Sequence, residues 1–251
     1  AGAVVFGAAW AFIPAYLQAT RGSHVVITTI MFNFIAASLM VFLLVDVIRD
    51  TSQMGPHTVA LPKEQWFPSF KDFAALFGIK IRYSPLNISF LLAIAASVFV
   101  WFLVWKTRWG YEMRAVGHNT QAAIYAGISP YKNIIIAMCI SGGLAGLLGV
   151  NEILGVHHKI VAGFPAGYGF TGIAVALMGR NHPIGIFPAA FLFGILYQGG
   201  SEVTFDMPNI TRYMFVAVQG VIILFSGALE NLFRPQIESF FVNRLNIKAS
   251  A

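Results

Sequence analysis

The chain has 251 residues, 57% of them hydrophobic and only 10% charged, at a mean hydropathy of +0.72. Soluble domains carry about 25% charged residues, so this chain has too little polar surface to cover a water-soluble globule, and the bilayer is its natural solvent. The net charge of +6 is spread over 16 scattered basic residues with no basic run, which reads as topology information and not as a nucleic-acid surface. The one cysteine, Cys139, lies in an apolar stretch, which excludes an internal disulfide or a cysteine metal cluster and reads as a small buried hydrophobe.

Seven apolar segments follow in chain order, at about 3–19, 25–45, 86–105, 131–150, 165–178, 184–200 and 211–229. A spanning helix needs about 20 residues to cross roughly 30 Å of hydrocarbon, a length the second, third, fourth and seventh segments meet. The chain opens at Ala1 inside an apolar run with no basic region before it, which is unlike a signal peptide and leads us to expect a longer parent chain. The fifth segment would rise only about 21 Å, too short for a free crossing, and predicts a broken or re-entrant helix. Ser84-Pro85 and Ser129-Pro130 place an N-cap and a first-turn proline before apolar runs. Residues 46–85, with Pro56, Pro62 and Pro68, read as an extramembrane loop with a short helix around 70–77. The expected fold is therefore an all-α polytopic transmembrane bundle, one domain over residues 1–251.

Orientation follows from the basic residues. With loop 106–130 and the C-terminal tail in the cytoplasm, that side holds nine Lys and Arg, among them Arg21, Lys106, Arg108, Arg114, Lys132 and Arg180, against seven outside. Arg180 and His182 then act as cytoplasmic anchors, and loop 46–85 lies outside. Within loop 106–130, the stretch from Thr120 to Ala126 is helix-prone; Asn119 or Thr120 can cap it and Gly127 can end it in a left-handed turn. A short helix on the cytoplasmic face is expected, too polar and too short to cross.

Several residues carry two readings. Gly142-x-x-x-Gly146 and Ala145-x-x-x-Gly149 let helices pack closely, with gating motion as the rival role. Asn33, mid-segment in apolar surroundings, needs a helix–helix hydrogen bond or a substrate. Thr28 and Thr29 can satisfy themselves on the preceding turn. Asn151 and Glu152 end the fourth segment, where the carboxylate is expected to be solvated, with a receptor contact or a place on a substrate path as the alternative. His157, His158 and Lys159 suit a docking surface better than a metal site, since adjacent side chains diverge and no third ligand is near. There is no phosphate-binding Gly-x-x-x-x-Gly-Lys-Ser/Thr loop, no Gly-x-Ser-x-Gly and no His-Glu-x-x-His, so neither ATP hydrolysis nor other catalysis is expected of this chain, and no intramembrane carboxylate relay points to a proton-coupled carrier.

Gln121-Ala122-Ala123-Ile124-Tyr125-Ala126-Gly127 resembles the Glu-Ala-Ala-x-x-x-Gly loop of ATP-binding-cassette importer permeases, with Gln121 in place of the acid. Gly110-Tyr-Glu-Met-Arg-Ala-Val-Gly-His-Asn119 and Gly22-Ser-His-Val-Val-Ile-Thr-Thr-Ile-Met-Phe-Asn33 are similar to the ribose and nucleoside branch of that family. Gly163-Phe-Pro-Ala-Gly-Tyr-Gly-Phe-Thr-Gly-Ile-Ala-Val-Ala-Leu-Met-Gly-Arg180 resembles permeases that work with lipoprotein receptors for nucleosides. Together the matches run from about residue 7 to 235. The resemblance implies a nucleoside importer permease in the inner, cytoplasmic membrane. Its implied partners, besides membrane lipids, are cytoplasmic ATP-binding subunits that hold ATP and Mg, a second permease and an extracytoplasmic substrate-binding lipoprotein. It places Arg114, Asn119, Gln121, Ala122, Ala123 and Gly127 at the ATPase-coupling helix. Asn33, Thr29, Glu152, Tyr168 and Phe170 fall to the substrate pathway, with the last two as an aromatic wall on which a nucleobase could stack. Ribose or another simple sugar is the alternative cargo, and a secondary carrier the alternative class.

Overall fold

A computed structural model describes residues 1–48, 55, 57–68, 86–164, 167–207 and 214–225. The short helix expected around 70–77, the Ser84-Pro85 start and Pro165 lie outside the described residues. Among those described, every multi-residue element is helical, and the one β-type pairing is an isolated bridge between His57 and Val161. The helices are α1 (Gly2–Arg21), α2 (Val25–Phe42), α3 (Ser89–Lys106), α4 (Arg108–His118), α5 (Thr120–Tyr125), α6 (Pro130–Val150), α7 (Tyr168–Met178), α8 (Pro183–Asp206) and α9 (Met214–Phe225). Two of them run on as π-helix, α2 through Leu43–Val47 and α6 through Asn151–His157.

Five stretches are long and apolar enough to cross a membrane: Gly2–Arg21, Val25–Val47, Ser89–Lys106, Pro130–His157 and Pro183–Asp206. Large apolar side chains such as Phe34, Phe102 and Phe191 stand exposed along them, as expected where lipid replaces water. The first and sixth segments thus join the spans. Their ends are polar residues that still wind as helix: α1 runs through Gln18 to Arg21, and α8 continues past Gly200, where Gln198 Nε2 donates to Glu202 Oε1 at 2.9 Å. α7 has only 11 residues, a rise of about 16 Å, so it is too short to cross unaided.

Two compact units make up the chain, Ala1–Ala166 and Gly167–Ala251. In the first, α1 packs along α6 through small residues. A Cβ at Gly142 would lie 2.5 Å from the Gly7 carbonyl oxygen, and one at Gly146 would run into the Ala3 carbonyl. This is the close approach expected of Gly142-x-x-x-Gly146. At the C-terminal end of α3, Thr107 is extended and its hydroxyl accepts from Gly110 N at 3.2 Å, starting α4. The chain folds back so tightly there that a Cβ on Gly110 would meet the Leu103 and Val104 carbonyls. In the second unit, Ala174, Val175, Ala189 and Phe193 form a small core with Met178, Ile186 and Ile223. α7 turns into α8 through Arg180 and Asn181, both left-handed at φ 55° and 54°, and His182 accepts from Ile184 N ahead of Pro183.

Candidate functional site

A cavity of about 810 Å³ opens between α1, α2 and α6 in the first unit. Its volume falls in the range of small-molecule sites, roughly 300–1,000 Å³. Each helix contributes one face, as the spacing of the lining residues shows: Thr29, Phe32, Asn33 and Ala36 on α2 recur at the i, i+3, i+4, i+7 positions of a single stripe. α6 supplies mainly small residues, including Ser141, Gly142 and Gly149, and the seam that brings α1 close to α6 thereby also forms the cavity floor. Aromatic rings come from Phe6, Trp10, Phe32 and Phe164; Trp10 and Phe32 meet edge to face at 5.9 Å between centroids and 70° between planes. Pro14 of α1 has no N–H, so it withholds the usual i+4 donor from the Trp10 carbonyl.

The polar groups are few. Thr29 Oγ1 donates within its own helix, its oxygen lying 2.9 Å from the Val25 carbonyl and 3.1 Å from that of Val26, as the sequence suggested. Among the described residues, Asn33, Ser141 and the Trp10 indole make no side-chain hydrogen bond, although all three line the cavity. Asn33 is exposed on α2 and meets no helix–helix partner among the described residues. Sequence reasoning found Asn33 because an amide in an apolar run stands out. It missed Trp10, Phe32 and Ser141, whose types are ordinary in a membrane helix.

At the C-terminal end of α6 the cavity is lined by Val150, Ile153, Leu154 and Phe164, and a strap of loop 57–68 is tied to the same π-helix. Phe67 N donates to the Leu154 carbonyl at 3.1 Å, Leu61 N to the His158 carbonyl at 2.8 Å and Thr58 N to the Ile160 carbonyl at 3.1 Å. His158 stacks on Trp66 with centroids 3.7 Å apart, so this histidine is structural. Glu152 does not stand in solvent as expected: it is 7% exposed, and His157 Nε2 lies 3.6 Å from its Oε2. The π-helical winding carries its carboxylate inward. Asn151 meets the hydroxyl of Ser89, and Asn87 Nδ2 donates to the Gly155 carbonyl at 3.1 Å, tying the start of α3 to the same segment. No cluster of three metal-ligating side chains occurs among the described residues.

At the opposite end of α6, α5 runs over Thr120–Tyr125. Asn119 caps it, its Oδ1 accepting from Gln121 N at 3.0 Å and Ala122 N at 3.1 Å, and Gly127 follows at φ 76°. Ala123 is buried within this chain at 3% exposure, whereas Tyr125 is 91% exposed and Gln121, Ala122 and Ile124 are also exposed. Ala123 therefore holds the helix down while its neighbours present an outer face. Arg114, on α4, is exposed. Tyr168 and Phe170 belong to the second unit: Tyr168 lies 6.5 Å from Tyr197 between ring centroids, and Phe170 is 71% exposed. The aromatic residues that line the cavity described above are Phe6, Trp10, Phe32 and Phe164.

The profile of the family described as "branched-chain amino acid transport system / permease component" matches residues 1–227. The chain belongs to this permease family. It is 36% identical over 226 residues to a guanosine ABC transporter permease protein of Bacillus subtilis, covering 89% of this chain and 62% of that protein. A nucleoside ABC transporter permease protein of Lactococcus lactis is 36% identical over 227 residues, 86% of this chain and 59% of the relative. A glucose ABC transporter permease protein of Haloferax volcanii is 33% identical over 252 residues, 97% of this chain and 64% of the relative. The chain spans about three fifths of the length of these relatives. No solved structure matches it. With five spans, this permease-family chain is a multi-pass membrane protein.

Proposed function

We propose that the chain is the membrane permease subunit of an ATP-binding-cassette importer and that it carries nucleosides inward across the cytoplasmic membrane. The observation that carries the reading is the cavity between α1, α2 and α6, which combines an aromatic pair with an unpartnered amide and hydroxyl. A nucleoside asks for a stacking face, an amide and hydroxyl partners together. The names of two 36% identical relatives agree with it. The glucose permease among the relatives makes a sugar the second reading.

In this reading ATP and Mg sit on cytoplasmic partner subunits, which close on ATP binding and press on the exposed face of α5. Ala123 passes the displacement to α6, whose middle lines the cavity and whose far end bears the strap. A second permease completes the membrane portion, and a receptor lipoprotein delivers substrate from outside. The test is uptake by the complete transporter in proteoliposomes, with labelled adenosine, guanosine, ribose and glucose offered in turn and ATP supplied on the ATPase side. ATP-dependent nucleoside accumulation is expected. Accumulation of sugar alone would replace the cargo, and uptake without the ATPase would replace the class. A Tyr125→Cys crosslink in a Cys139→Ala background should capture the ATP-binding subunit.

A further inference from the structure

We infer that Asn33 reads the nucleobase through a paired donor and acceptor contact, with Trp10 supplying the face on which the base stacks. The inference rests on the nucleoside reading above. The polar groups of the cavity differ in what they have left to offer. The Thr29 hydroxyl proton is engaged by its own helix, and Ser141 has a single hydroxyl proton. Asn33 holds two donor hydrogens and a carbonyl oxygen, all without a partner among the described residues. Asn33 is exposed on α2, and an unpaired carboxamide midway along a membrane-spanning helix carries a cost that a complementary ligand removes.

A carboxamide sets its donor and acceptor side by side in one plane. The partner that satisfies both at once is a planar edge where an N–H adjoins a carbonyl or a ring nitrogen, which is how an asparagine side chain pairs with a base edge in nucleic acids. Uracil has such an edge at N3–H and O4, and hypoxanthine at N1–H and O6. A free sugar presents hydroxyls on tetrahedral carbons and has no such planar pair. The neighbouring aromatics suit a planar ligand too. Phe32 adjoins Asn33 on α2 and meets Trp10 edge to face, so the indole borders the same space as the amide.

Methylating the ring nitrogen removes the donor from that edge and adds one methyl group there, while the stacking face is kept. The complete transporter should therefore carry uridine and inosine with roughly tenfold or greater efficiency over N3-methyluridine and N1-methylinosine, the discrimination a bidentate base contact provides. Asn33→Leu should bring each ratio close to one while uptake of the methylated nucleosides persists, which a merely structural role would not do. Should the leucine variant fail to assemble, Asn33→Ala removes both the donor and the acceptor with a smaller side chain, and it should likewise bring uridine down to the level of N3-methyluridine. Ratios near one in the wild type, or wild-type ratios kept in either variant, overturn the assignment of Asn33 alone. A wild type that carries ribose or glucose and no nucleoside overturns the nucleoside reading, and this inference falls with it.

Discussion

Gly146→Ala adds one methyl group where there is no room for it. The new Cβ would run into the Ala3 carbonyl oxygen, with the Ala3 carbonyl carbon at 2.8 Å and Val4 N at 3.2 Å. All three are backbone atoms of α1, so no side chain can rotate out of the way, and relief requires α1 and α6 to separate by several tenths of an ångström along their shared seam. Overpacking of this kind costs about 1–3 kcal/mol, and a chain of this size loses roughly 2–4 °C of melting temperature per kcal/mol. Gly149→Ala is the matched control, because it lies one turn further along α6 with nothing within 4 Å of its added Cβ. Thermal unfolding of the two purified variants in one detergent should place the midpoint of Gly146→Ala below that of Gly149→Ala, which should hold the parent's value or gain up to about 1 kcal/mol from the higher helix propensity of alanine. Equal midpoints for both would refute the seam as the close contact that fixes α1 on α6.

A side chain in place of a carbonyl reverses the expectation at the next position: Gly143→Ala would meet Val4 Cγ1 at 3.1 Å, so its smaller cost should be relieved by Val4→Ala, measured as coupling in a double-mutant melting cycle. Asn119→Ala removes the acceptor for two amides of α5 and should cost that helix about 1 kcal/mol, seen as faster amide exchange at Gln121 and Ala122 with the spans unchanged. Trp66→Ala removes the ring on which His158 stacks, and should speed exchange at the Leu61 and Phe67 amides that tie the strap to the π-helix, with no effect at the α1–α6 seam.

Local chemistry made some of this legible in the sequence. The α5 cap, the left-handed Gly127 and the small-residue seam each follow from a few adjacent residues whose types have narrow conformational uses. The length of α8 did not, because Glu202 and Asp206 end the apolar run while the helix itself continues. Nor did α4: its start depends on the Thr107 cap and on Gly110 lying against two carbonyls of α3, a contact made only once the chain has turned back. Glu152 was read as solvated because its position near the end of an apolar run is all that the sequence displays. Its burial comes from π-helical winding, which shifts a side chain around the axis relative to an α-helix and has no residue signature of its own. The cavity was half legible, since Asn33 is conspicuous in α2 and Trp10 is not conspicuous in α1.

The α6 element then has a mechanical consequence. From Pro130 to His157 it is one continuous helix of 28 residues, about 42 Å long, wide enough to span the bilayer with a polar end on each side. It holds α5 at one end, α1 along its middle and the 57–68 strap at the other. α1 packs on it through close backbone contacts at Gly7, Gly142 and Gly146, and the two helices form one wall of the cavity, carrying Trp10 and Ser141. α2 meets that wall at the Trp10–Phe32 edge, and it carries Asn33 on the other side. In the importer proposed above, a displacement delivered at α5 would move Trp10 and Ser141 relative to Asn33. Groups that bind one ligand from two walls hold it while the walls are close and release it when they part, which allows substrate affinity to change with the position of α6 without any residue in the cavity being altered.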